Sequence, residues 1–257
     1  MRRGLAPSRR QAQADIEAGR VTVDGAPATK PARVVAPHEA LVVHGPPPRF
    51  VGRGGEKLDA ALDRFAVDVV GRRGLDLGAS TGGFTDCLLQ RGAASVVAVD
   101  VGYGQLHERL RTDPRVDSRE RTNARQLRPG DLGPPAQVLV GDLSFISLRT
   151  IVPVALPLVE PDADVVLLVK PQFEAGREEA ARGRGVITDP AVWRRVLEEV
   201  SGALEASGSA IMGAMASPLT GADGNVEFLL HARVGATRGP AVADLLDGAL
   251  VEAEARA

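Results

Sequence analysis

Apolar residues recur along this chain in two rhythms, separated by three consecutive prolines. Ser8 heads a run of good helix formers that reaches Ala18, and Gly19 stops it, so a helix is predicted there. Val21-Thr22-Val23 alternates as a strand does, and Asp24-Gly25 is a tight-turn dipeptide. Val34-Val35 and Leu41-Val42-Val43 supply further short strands. Together they predict a helix-plus-hairpin module over 1–45, and Pro46-Pro47-Pro48 opens a stiff linker over 46–57. From 58 to 235 strands alternate with helices, the pattern of a parallel α/β sheet. Strands are expected at 74–78, 95–100, 137–142, 163–170, 210–215 and 225–233, with helices at 83–90 and 190–206. The run 163–170 is apolar enough to be covered on both faces. The tail 236–257, rich in alanine and acid, reads as a terminal helix or a frayed end.

Composition narrows the class. An apolar fraction of 44% and a charged fraction of 25% are those of a soluble globular chain. No stretch approaches the ~20 apolar residues that span a bilayer, so no membrane association is expected. One cysteine cannot form an internal disulfide, which fits a reducing cytoplasm. The net charge of −2 hides an asymmetry: residues 1–57 hold ten Lys/Arg against five Asp/Glu, and the remainder holds 21 against 28. A basic end suits a polyanion, although basic termini can also be merely well solvated.

The segment Leu75-Asp76-Leu77-Gly78-Ala79-Ser80-Thr81-Gly82-Gly83-Phe84 is a glycine-rich turn between a strand and a helix. In open α/β sheets, ligands bind at such strand ends, where small residues let the backbone approach closely. A phosphate-binding turn would look similar. Asp76 stands where it can engage a cationic amino group, and Asp100, at the end of the next strand, can accept from ribose hydroxyls. Adenosine with an amino-acid tail satisfies both acids, whereas a pyrophosphate beside Asp76 would be repelled. The dinucleotide fingerprint G-x-G-x-x-G is not matched.

Three further strand ends carry ionisable groups: Asp142, Lys170 before Pro171, and Glu227 in the otherwise apolar 225–230. Charges beside buried strands are costly unless paired. With Lys57 in Gly54-Gly55-Glu56-Lys57-Leu58, these residues resemble the Lys-Asp-Lys-Glu tetrad of FtsJ-type RNA 2′-O-methyltransferases. The fuller resemblance is to the TlyA family of rRNA cytidine-2′-O-methyltransferases, formerly labelled hemolysins. It rests on Arg53 to Leu58, the glycine turn through Asp86-Cys87, Val101-Gly102-Tyr103-Gly104-Gln105-Leu106 and Glu120-Arg121-Thr122-Asn123. Asp142 to Ser147, Val169 to Glu174 and Ser217 to Gly221 extend it, so that it spans about Val21 to Arg233. The resemblance implies a Rossmann-like class I methyltransferase sheet and an N-terminal α+β S4-type RNA-binding module. It also implies S-adenosylmethionine as cofactor and rRNA or a ribosomal subunit as partner.

Methyl transfer to a ribose hydroxyl requires oxygen, methyl and sulfur in line, an alignment worth up to ~7–11 kcal/mol. Lys170 is expected to position and help deprotonate the hydroxyl, and Lys57 to stabilise the developing oxyanion, with the choice of base between the two lysines left open. Asp142 is expected to orient Lys170 and hold the cofactor side, and Glu227 to anchor the lysines. Asn123 lies against the adenine or is a plain turn asparagine. Phosphate contacts are expected from Arg9, Arg10, Arg20 and Lys30, each otherwise a surface charge, and from a loop from Gly176 to Thr188 with Arg177, Arg182 and Arg184, otherwise a solvated connection. Related chains place an Arg-Leu-Asp helix before the equivalent of Arg3-Gly4-Leu5; without it the module is expected to bury less apolar surface.

Other residues invite blander readings. Cys87 and Trp193 are expected to pack, and His38, His44, His107 and His231 show no metal spacing, so no metal is expected. The Asn/Asp-Pro-Pro-Tyr base clamp of exocyclic-amine methyltransferases is absent at 142–145. Against the RNA methyltransferase stand a membrane-active cytolysin, which needs an insertion segment, and a noncatalytic RNA-binding protein, which does not need the tetrad.

Overall fold

The computed structural model describes residues 3–6, 9–17, 19–45, 48–176, 179, 185–221 and 223–256, with the backbone alone at 10, 11 and 14. The chain divides into two units, Met1–Arg49 and Phe50–Ala257.

In the smaller unit α1 (Arg9–Glu17) precedes β1 (Val21–Val23), β2 (Ala26–Pro27) and β3 (Leu41–Val43). The three strands form an antiparallel sheet in the order β2-β1-β3. Asp24 and Gly25 both adopt positive φ, 48° and 80°, as a tight hairpin turn requires. Val21 and Val23 point inward with Ala28 and form this unit's core. Val34-Val35 is not a strand, and Val34 is 91% exposed. A two-residue turn puts Ala26 and Pro27 opposite Val23 and Thr22, so turn geometry overrides the apolar pair further on. Pro27 is tolerated because β2 is an edge strand.

The larger unit runs α2 (Gly54–Arg64), β4 (Arg73–Leu77), α3 (Gly83–Gln90), β5 (Ser95–Val99), α4 (Glu108–Arg111), β6 (Val116–Arg119) and β7 (Ala136–Gly141). It continues α5 (Leu148–Ala155), β8 (Val159–Val169), α6 (Pro171–Glu174), α7 (Pro190–Ala206), β9 (Ser209–Ala216), β10 (Phe228–Val234) and α8 (Val242–Glu254). Seven strands lie in the order β6-β5-β4-β7-β8-β10-β9; β4 to β8 are parallel, and β10 is antiparallel to both neighbours. Strand alternation feeds two cores: Val165, Leu167 and Val169 face α5, α7 and α8, while Val166 and Leu168 face α2 and α3. The direction of strand progression reverses between β4 and β7, which opens a crevice at their carboxyl ends.

Three boundaries differ from expectation. The predicted linker over 46–57 ends at Arg49, because Phe50 is buried and α2 already begins at Gly54. Pro46 and Pro47 lie outside the described residues. Gly54-Gly55 resembles a breaker only until its packing is known: a Cβ at Gly55 would sit 2.4 Å from the Phe50 ring. The tail forms α8, whose Leu246, Ala249, Leu250 and Ala253 are buried, so it belongs to the domain rather than lying beyond 235. Glu227 stands just before β10 rather than within a strand.

Candidate active site

The glycine turn begins where β4 ends. Gly78 takes a φ of 82°, and a Cβ there would lie 2.8 Å from the Asp142 carbonyl oxygen, so the turn can pass beneath the end of β7 only with glycine. The amides of Gly78 and Ala79 donate to the Val99 carbonyl on β5 at 2.9 and 3.1 Å. Those of Ser80 and Gly102 donate to the two carboxylate oxygens of Asp100, each at 2.7 Å. An ionised carboxylate oxygen can take more than one donor, so Asp100 keeps capacity for a ribose.

Asp76 is wholly buried on β4. Its Oδ2 accepts from the Thr85 hydroxyl at 2.7 Å, while its Oδ1 is buried with no hydrogen-bond partner among the described residues. Burial pushes the carboxyl up to about 7, Thr85 pulls against that, and the charges of Asp142 and Asp100 add to the rise. A cation brought to Oδ1 would remove the conflict, and the residues present therefore fit an ammonium at one end of the turn and hydroxyls at Asp100.

The four predicted catalytic side chains form two ion pairs. Lys57 on α2 donates to the Glu227 carboxylate, and both groups are nearly buried. Lys170 Nζ lies 2.5 Å from Asp142 Oδ1 and donates to Ser144 Oγ at 2.9 Å. Glu227 thus holds one lysine, not both; Asp142 holds the other. Backbone pairing makes their sites neighbours: Leu77 pairs with Gly141, Gly141 with Leu167, and Val169 with Phe228. Gly54 at the head of α2 completes the set, since a Cβ there would come 3.5 Å from Asp142 Oδ2. α2 can approach this closely because Gly83 has no side chain; a Cβ on it would lie 2.9 Å from the Gly55 amide nitrogen.

Sequence reasoning missed several residues. Phe145 is 90% exposed at a φ of 64°, its ring 5.0 Å from that of Phe173, which lies 5.8 Å from Lys170 Nζ. In a chain with only 3% aromatics, one in the run 142–147 and one in the run 169–174 were the available signal. Ser144, which accepts from Lys170, was missed as well. Asp86, buried after the turn, accepts from Arg109 at 2.6 and 2.7 Å and from the Val51 amide at 2.8 Å.

Other expectations separate. Asn123 caps a single helical turn by accepting from the Arg125 amide at 3.1 Å. Arg9 and Lys30 are exposed, whereas Arg20 pairs with Asp15. The Arg10 side chain and Arg177, Arg182 and Arg184 lie outside the described residues. Cys87 is buried in α3, and Trp193 packs edge-on against Phe228. Among the described residues no group of three or more His, Cys, Asp or Glu could hold a metal ion, and no helix is long and apolar enough to cross a membrane.

Comparison with known proteins decides the lineage. The family model described as FtsJ-like methyltransferase matches residues 50–234, and that of the S4 domain matches 2–41. The chain belongs to the FtsJ-like methyltransferase family. Within this family it is 52% identical to the 16S/23S rRNA (cytidine-2′-O)-methyltransferase TlyA of Mycobacterium tuberculosis, over 91% of this chain and 87% of that one. It is 39% identical to Hemolysin A of Brachyspira hyodysenteriae, over 89% and 95% of the two chains. Among solved structures, a Streptococcus thermophilus protein named as a hemolysin superposes with a TM-score of 0.80 at 37% identity, covering 99% of this chain and 94% of that one. The seven-stranded sheet is accordingly that of a methyltransferase.

Proposed function

We propose that this chain transfers a methyl group from S-adenosylmethionine to the 2′-hydroxyl of a cytidine in ribosomal RNA, working in the cytoplasm. The observation that carries this reading is the placement of two lysine–carboxylate pairs beside the glycine turn, with Asp142, Lys170 and Glu227 at adjoining strand ends and Lys57 on α2. The M. tuberculosis relative, named for cytidine-2′-O transfer, supports it.

Asp76, whose buried Oδ1 has no partner among the described residues, would hold the amino group of the cofactor. The turn Gly78, Ala79, Ser80, Thr81, Gly82, Gly83 and Phe84 would receive its methionine portion, Asp100 would accept from its ribose hydroxyls, and Asn123, while still capping its helical turn, would lie on the adenine side. Bound there, S-adenosylmethionine supplies an electrophilic methyl on a sulfonium. Everything else falls to this chain's side chains. A ribose hydroxyl is a weak nucleophile until its proton is drawn away, and a group held within hydrogen-bond reach does this best. Lys170, steadied by Asp142 and Ser144, positions the hydroxyl, and it takes the hydroxyl proton as the neutral amine, once its own proton has passed to solvent. Lys57, held by Glu227, stabilises the negative charge growing on oxygen. Phe145 offers an exposed ring on which the target base can stack, an interaction worth ~1–3 kcal/mol. Arg9, Arg10, Arg20 and Lys30, with Arg182 and Arg184, bind RNA phosphates.

The test uses purified protein, labelled S-adenosylmethionine and each ribosomal subunit, with ribose methylation mapped afterwards. Lys170→Ala is expected to lower transfer by ~10²–10⁴-fold with cofactor affinity kept. Absence of transfer to any RNA by cofactor-loaded protein overturns the substrate; full transfer by Lys170→Ala overturns the role of that lysine.

A further inference from the structure

We propose that Glu174 is a positioning residue for Lys170: its buried carboxylate fastens the loop bearing Asp142 and Ser144 to the segment bearing the lysine. The inference rests on the reading of Lys170 just given.

Glu174 closes α6, the single turn that follows Lys170, and is 3% exposed. Its Oε1 accepts from the Leu148 amide at 2.7 Å and its Oε2 from the Ser147 hydroxyl at 2.5 Å. Both donors stand at the start of α5, where the loop 142–147 ends. Arg149 closes the other side, donating to the Glu174 carbonyl at 3.0 Å. One carboxylate therefore ties the end of one loop to the segment that follows β8.

What lies around Lys170 explains why that tie matters. Asp142 at 2.5 Å and Ser144 at 2.9 Å both come from the loop. The Phe173 ring, 5.8 Å from Nζ, comes from α6 and meets Phe145 of the loop. These neighbours of the ammonium thus belong to the two segments that Glu174 joins. The loop is also under tension, since Phe145 sits at a φ of 64°, which a phenylalanine holds only when its surroundings impose it. Burial raises the Glu174 pKa, with the hydrogen bonds from Leu148 and Ser147 acting against it. A surface carboxylate could cap α5 without that conflict; one buried beside the lysine segment clamps as well.

The experiment compares Glu174→Ala, Glu174→Gln, Ser147→Ala and Lys170→Ala in the full chain. Melting temperature, S-adenosylmethionine Kd, and kcat and KM on ribosomal subunits are measured for each. Displacing a catalytic group by about 1 Å can cost ~10²-fold, so Glu174→Ala should lose roughly 10–100-fold in kcat with cofactor Kd little changed and a smaller rise in KM, because Phe145 sits on the same loop. Glu174→Gln should restore most of the rate, because its amide can accept from Leu148 and donate to Ser147 Oγ. Ser147→Ala, which removes one of the two bonds, should fall between them and decides the matter if Glu174→Ala does not fold. Normal kcat in the folded alanine variants, or losses that follow melting temperature and are not rescued by glutamine, overturn the clamp. If Lys170→Ala keeps full transfer, the functional reading falls first. If Lys170→Ala is inert while the Glu174 and Ser147 variants turn over normally, the clamp alone is wrong.

Discussion

At Asp76 complete burial holds a carboxyl at about 7 instead of its ordinary 3.8. Between those values the folded chain binds a proton that the unfolded chain has released, so stability falls as pH rises from about 4 to 7. The shift corresponds to a cost on the order of 4 kcal/mol once the group is ionised. Asp76→Asn removes the ionisation, and calorimetry at pH 8 should show a higher melting temperature, at about 2–4 °C per kcal/mol recovered. The same variant should lose at least ~10-fold in S-adenosylmethionine affinity by titration calorimetry, since removing a charge-assisted bond costs ~1.5–3 kcal/mol. In the unmodified chain, affinity should weaken as pH drops below about 7, because a protonated Asp76 cannot pair with an ammonium. Lys57 and Glu227 present the opposite case, a buried pair already satisfied. Lys57→Ala would strand Glu227 and should cost ~3–5 kcal/mol in urea unfolding, while Lys57→Met with Glu227→Gln should cost clearly less.

Between elements, the end of the sheet far from Lys170 is fastened by a charge cluster. Asp164 on β8 accepts from Arg72 before β4 at 2.7 Å, from Arg233 on β10 at 2.9 Å, and meets His231 Nε2 at 2.8 Å. Phe65, just past α2, stacks on His231 with ring centres 5.4 Å apart. Burial raises the Asp164 pKa, but hydrogen bonds from His231, Arg72 and Arg233 outweigh it and hold the carboxyl well below its ordinary range. A depressed pKa stabilises the fold above the unfolded value near 3.8, and that stability drains away as pH falls below it. Asp164→Asn should therefore destabilise at pH 7, by ~3 kcal/mol or somewhat less because Arg72 and Arg233 reach solvent. Its stability should also fall less steeply between about pH 4 and 2, as read by circular dichroism. An unchanged acid limb would mean that other carboxylates carry acid unfolding.

For the molecule as a whole, charge is the decisive quantity. The basic excess lies within residues 1–57, where Arg9 and Lys30 are exposed to solvent and open to a polyanion. Neutralising both should lower the slope of log K against log salt for ribosomal RNA by about one for each phosphate they neutralise. S-adenosylmethionine affinity should not change. Filter binding between ~50 and 200 mM salt measures this, and an unaltered slope would leave the basic end as a solvated surface.

What can be read from the chain alone is local in origin. The bounds of α7 are plain because Asp189 caps it, Pro190 starts it and Gly208 follows its end. The glycine turn and the charges at 142 and 170 stand out because each breaks an apolar run. β6 escapes notice because its polar Val116–Arg119 is a half-exposed edge strand with little apolar signal. The start of α2 reads as linker because glycine signals flexibility until a ring is found packed against it. Partners are the deeper difficulty. Glu227 pairs with Lys57, 170 positions away, and Lys170 with Asp142, because β4, β7, β8 and β10 are neighbours. Periods of 2 and 3.6 declare which residues face a core or end a strand. Which strand lies beside which depends on burying both faces of all seven at once, and only the folded chain settles that.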